Sequence, residues 1–161
     1  MGEQYRGFLY AAYKDKLTVE ALLPDAETHS ESIAFHSQQM MAEKVMKEVF
    51  VQNAVVPPKT HAVDDLLAAA SEKGWVKASS EAVQAAHSLS MHAVVARYAE
   101  CPDITRGEAL QAVAHANVIA DMVGASGYDV VRIESDIHLL RQEGDASKPD
   151  SDSDPKGSCG V

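Results

Sequence analysis

Apolar positions three and four residues apart run along most of this chain. Pro24, Pro57-Pro58, Gly74, Pro102 and Gly124 break them at helix-sized intervals. The first helix is expected over 4–23, with Tyr5, Phe8, Ala12, Val19 and Leu23 near one face and Asp15 and Lys16 interrupting it. A second opens on Thr28-x-x-Glu31, a capping-box pattern, and runs to about 54. Its stripe is Ala34, Met41, Val45 and Val49, widened by Phe35, Ala42 and Met46. Ile33 and Met40 lie on the far side, so this helix is expected at the centre of a bundle or shared between a core and a dimer interface. After an extended connector, Thr60 is expected to cap a third helix carrying Asp64, Asp65, Leu66 and Leu67 and ending at Gly74. A fourth runs from Ser79 or Ser80 to about Tyr98, with Ala82, Ala86, Leu89, Ala93 and Ala96 in one line and Met91, Val94 and Tyr98 in a second. Thr105 and Glu108 open a fifth, with Ala109, Val113, Ala116, Ala120 and Val123 inward and Gly124 as its C-terminal stop. Val130, Ile133, Ile137 and Leu140 recur at helical spacing and predict a sixth. No useful strand alternation appears. The expected class is all-α, an antiparallel up-down four-helix bundle with a shorter fifth helix and a C-terminal sixth.

Composition narrows this picture. The 161 residues suit one domain, and 46% hydrophobic content with only 6% aromatic side chains favours close helix packing over a sheet core. From Gly144 the chain turns to Asp, Ser, Pro, Gly and Lys, so 1–143 is read as the bundle and 144–161 as a disordered acidic tail. The formal charge of -10 disfavours RNA as a partner unless basic residues cluster locally. Two cysteines without paired Cys/His spacing give no zinc site or disulfide framework, and no cofactor is expected. With no signal peptide and no apolar run of membrane-spanning length, the expected location is the cytoplasm.

Two blocks resemble a known family. Phe35-His36-Ser37-Gln38-Gln39, continuing through Glu43-Lys44 to Lys47, is similar to the F-H-x-Q-Q signature helix of the HEPN family (higher eukaryotes and prokaryotes nucleotide-binding). Pro58-Lys59-Thr60-His61, followed by Leu66 and Leu67, is similar to that family's P-K-T-H stretch, and Arg97-Tyr98 resembles its R-Y. The resemblance spans roughly 5–123. It implies a helical bundle, usually a homodimer, related to the substrate-binding half of kanamycin-nucleotidyltransferase-like proteins. It also implies a nucleotide ligand or a minimal nucleotidyltransferase partner. Some relatives are metal-independent RNases, including toxins of toxin–antitoxin pairs.

The candidate site residues carry two readings each. His36, Gln39, Glu43 and Lys47 fall at i, i+3, i+7 and i+11, either as a polar strip facing a ligand cleft or as a solvated face with helix ion pairs. Gln38 projects onto the apolar stripe and is read as a hydrogen-bonded anchor. Lys59, Thr60 and His61 open the third helix, either as a phosphate cradle or as a plain cap with a docked histidine. The RNase branch needs a histidine shortly after Arg97, where this chain has Pro102, Asp103 and Ile104. Arg132 and His138 have the required spacing, but with seven histidines such a pairing arises by chance too readily to carry weight. The expectation is therefore a binding module without catalysis, its cleft formed by His36, Gln39, Glu43, Lys47, Lys59, His61 and Arg97. A metal-independent endoribonuclease or a pure dimeric scaffold is the alternative.

Overall fold

A computed structural model describes residues 7–97 and 104–133, with the side chains at 38–40 and 92–97 outside that description. The described residues hold six α-helices and no strand. They are α1 (Gly7–Leu22), α2 (Ser30–Phe35), α3 (Glu43–Gln52), α4 (Val63–Glu72), α5 (Ser80–Arg97) and α6 (Arg106–Ala125). Between α2 and α3 the chain does not leave the helix. Residues His36–Ala42 form a π-helical segment, so 30–52 is one composite rod.

That rod lies at the centre, as its two-sided apolar pattern requires. It packs against α1, α4, α5 and α6. Ile33 on one side and Met41, Val45, Met46 and Val49 on the other are all buried, while Phe35 is 38% exposed. The π segment explains the misplaced Phe35. Hydrogen bonds closing i to i+5 advance each residue less around the axis than the roughly 100° of an α-helix, so positions before the segment rotate out of phase with those after it. α5 and α6 turn alanine-rich stripes inward and pack on each other. No described helix is long and apolar enough to cross a membrane.

Helix ends depart from expectation in instructive ways. Thr105 is the N-cap of α6, its hydroxyl accepting from Glu108 N at 3.1 Å, as the pattern predicts. The Thr28-x-x-Glu31 box does not form. The chain leaves α1 through a 3-10 turn, Leu23–Asp25, and keeps turning, so the backbone carbonyls of Asp25 and His29 take the N–H groups of His29 and Ile33. The residue preceding α2 is then His29, with no side-chain cap. Thr60 is not a cap either. Its hydroxyl accepts from Ala62 N in the turn before α4, while Ser90 on α5 accepts from Asp64 N in the first turn. α3, α4 and α6 all end in Schellman geometry, with six-to-one bonds from Val55 N to Phe50 O, Trp75 N to Ala70 O and Tyr128 N to Val123 O. The left-handed residues at these three ends are Ala54, Gly74 and Gly127.

Gly124 is therefore inside α6, not its stop. A Cβ there would sit 3.4 Å from the Val130 side chain, because the chain doubles back along α6. The expected sixth helix is absent through Ile133: residues 128–133 are non-helical. Val131 and Ile133 are the buried positions, a spacing of two that suits an extended strap. Asn117 fixes it, donating from Nδ2 to Ile133 O at 2.9 Å and accepting from Ile133 N at 2.8 Å. Three extended residues and seven helical ones both span about 10 Å, which matches Val130 to Gly124 and Ile133 to Asn117. The rest of the expected sixth helix, and the 144–161 tail, lie outside the described residues.

Candidate functional site

Glu43 starts α3 and faces the connector to α4. Its carboxylate is 7% exposed, and burying a charge this far requires partners. Lys47, one turn on, places Nζ 2.8 Å from Oε1 and is itself 13% exposed. His61, two residues before α4, places Nδ1 3.1 Å from Oε1 and 3.3 Å from Oε2. An ionised carboxylate only accepts, so Nδ1 carries the proton and donates. Nε2 is then left as the working edge of a ring that is 60% exposed. Lys59, just upstream, is exposed, and Thr60 holds the turn between them.

A second group lies across the rod. His36 Nδ1 donates to Asp15 Oδ1 at 2.9 Å, and Lys44 Nζ lies 3.4 Å from Asp15 Oδ2. Asp15 is buried in the apolar face of α1, at the point that the sequence pattern reads as an interruption. A carboxylate there looks like a break in the stripe, but it gathers a histidine and a lysine from the neighbouring rod.

The π segment separates the two groups. In an unbroken α-helix His36 and Glu43, seven residues apart, would share a face. With 36–42 wound more slowly, His36 meets α1 while Glu43 meets the connector to α4. The expected single strip is thus divided, and His36 does not join Glu43 and Lys47. His61 does join them, although it comes from the other sequence block. The side chains of Gln39 and Arg97 lie outside the description, as does Gln38.

Arg132 is held by α6. Its Nη2 donates to Asp121 Oδ2 at 3.3 Å, and its Nε is 2.9 Å from Oδ1 as an ionic contact without hydrogen-bond alignment. His138 lies outside the described residues. Elsewhere, Thr28, Glu31, Thr105 and Arg106 line an open cavity of about 530 Å³ between the starts of α2 and α6.

No curated protein and no solved structure matches the chain. A family model for the HEPN domain matches residues 7–126, which take in all six helices and both groups of side chains. On that match over most of its length, the chain belongs to the HEPN domain family.

Proposed function

We propose that this HEPN domain is a binding module without catalysis, and that it takes the phosphate end of a nucleotide at His61 and Lys59. HEPN domains are nucleotide-binding or RNase-type modules, and they commonly dimerise. The nucleotide would be free or presented by a minimal nucleotidyltransferase partner. The observation that carries the proposal is the buried Glu43. It fixes His61 in one tautomer and one orientation and leaves Nε2 free, two residues along the connector from the exposed Lys59. A carboxylate-oriented imidazole next to a lysine can donate to phosphate oxygens from two directions. Lys47 holds Glu43 Oε1 in place at 2.8 Å, so it supports the site from behind.

Ligation of a nucleoside 5′-monophosphate, followed by calorimetry, tests this directly. The expected result is saturable one-site binding that His61→Ala and Lys59→Ala each weaken severalfold. Binding unaffected by either change would remove the site from His61. Catalysis is tested separately, by incubating single-stranded RNA with the protein and a chelator. No cleavage above background is expected, since the Arg132 guanidinium is engaged by Asp121 and Pro102, Asp103 and Ile104 stand where the RNase branch needs histidine. Cleavage abolished by Arg132→Ala and by His138→Ala, with the fold intact, would move the protein to the RNase branch.

A further inference from the structure

The charges around His61 place a condition on any anion that binds there. From α3 come Glu43 and Lys47, paired at 2.8 Å and nearly enclosed, so Lys47 is committed. Lys44, next in sequence to Glu43, is turned to Asp15 on α1, which His36 also engages. From α4 come Asp64 and Asp65 in its first turn. From α5 come Ser90, whose hydroxyl donates to Asp64 Oδ1 at 2.7 Å, and His87, whose Nδ1 is 3.6 Å from Asp64 Oδ2. The connector supplies Lys59 and His61. With His61 neutral, the 59–65 stretch carries one cation, Lys59, against the two carboxylates of Asp64 and Asp65. A neutral imidazole holding its proton on Nδ1 also turns a lone pair outward, which repels a phosphate oxygen instead of donating to it.

Resting on the nucleotide-binding reading above, we infer that anion binding at this site takes up one proton at His61. The protonated ring bridges two anions, donating from Nδ1 to Glu43 and from Nε2 to the ligand. Imidazole can carry a proton on each ring nitrogen at once, which is what bridging two anions requires. The same balance selects the ligand class. One compact terminal anion can lie between Nε2 of His61 and Lys59, whereas a long polyanion would run on across Asp64 and Asp65. The coupling is reciprocal: ligand holds the proton, and proton holds the ligand.

Two probes separate the protein's proton from the ligand's own. A nucleoside 5′-monophosphate titrates near neutrality, but the matching 5′-sulfate does not. Calorimetry of the full chain with the 5′-sulfate, in buffers of different ionisation enthalpy between about pH 5.5 and pH 8, reads proton uptake directly. The expected result is uptake approaching one proton per ligand at the alkaline end and falling towards none at the acid end. Affinity should weaken by up to about tenfold per pH unit on the alkaline side, the limit for one linked proton. His61→Gln should abolish the uptake and flatten the pH profile, while His29→Gln, in the cavity between α2 and α6, should leave both as in the parent. Binding with no uptake and no pH dependence overturns the coupling and leaves the binding reading standing. Uptake that survives His61→Gln also overturns it, by assigning the proton elsewhere. No binding of either probe at any pH overturns the binding reading itself, and the coupling with it.

Discussion

Replacing Asn117 by alanine should show how firmly the 128–133 strap is built into the fold. The Asn117 side chain is buried in α6 and satisfies both backbone groups of Ile133, whose own side chain is fully enclosed. Alanine removes both partners at once and leaves an N–H and a C=O unpaired in a dry place. Each such group costs about 1–3 kcal/mol, and some relief from an entering water puts the expected loss at about 2–4 kcal/mol. For a helical body of this size that lowers the thermal midpoint by on the order of 10 °C. Urea unfolding followed by far-UV circular dichroism measures the free energy directly. Asn117→Asp sharpens the test, because an ionised carboxylate can still accept from Ile133 N but turns its second oxygen towards Ile133 O. Burial raises that carboxyl's proton affinity in the native state, so stability should be low at neutral pH and partly restored on acidification. A loss below about 0.5 kcal/mol for Asn117→Ala, the scale of an ordinary surface change, would refute the docking of the strap.

Two further outcomes follow from the helix ends. Ala54 holds φ +58 at the close of α3, where glycine sits in α4 and α6. Ala54→Gly should stabilise by about 0.5 kcal/mol, the left-handed strain relieved less the extra unfolded-state entropy, and any destabilisation in urea would contradict the Schellman assignment. Burial holds the Glu48 carboxyl above its ordinary value, offset in part by hydrogen bonds from Gln52 and from the backbone of Phe8 near the start of α1. A raised native value means that its contribution is most favourable below the unfolded value and is lost as pH rises through the native one. Glu48→Gln should therefore be more stable than the parent at pH 7, with the difference closing as pH falls below about 4.5. A difference that widens on acidification would reverse the sign of that argument.

The helices and most of their buried faces were legible in the sequence because apolar periodicity and breaker residues agree along the chain. Ala109, Val113, Ala116, Ala120 and Val123 are the inward line of α6, and Thr105 caps it as Glu108 suggests. The π segment was not legible, and the reason is physical. The rod is apolar on both sides, so a shift of phase at 36–42 buries Ile33 and Met41 equally well and leaves no mark in the periodicity. The candidate site was consequently half visible. Glu43 and Lys47 could be placed on one face, but His36 leaves that face and His61 enters it from the other block. Asp15 and Asn117 each carried a readable signal, a polar residue within an apolar stripe, which must find a partner. Which partner it finds depends on packing between elements, and no local pattern encodes that. The Thr28 and Thr60 patterns failed because the helices begin later than the patterns suggest: His29 and Ala62 stand at the N-cap positions of α2 and α4, and Ser90 of α5 takes the Asp64 N–H.

The central claim is that the Glu43-oriented imidazole of His61 contacts the ligand. Long-range nitrogen–proton NMR of the histidine rings, recorded while a nucleoside 5′-monophosphate is added, tests it most directly. In the free protein the His61 spectrum should report a proton on Nδ1, as its bond to Glu43 requires. Addition of ligand should move the His61 Nε2 resonance towards the protonated form in a saturable way, with His29, in the cavity between α2 and α6, unchanged. Saturable shifts at His29 with His61 unmoved would contradict the account and place the ligand in that other cavity.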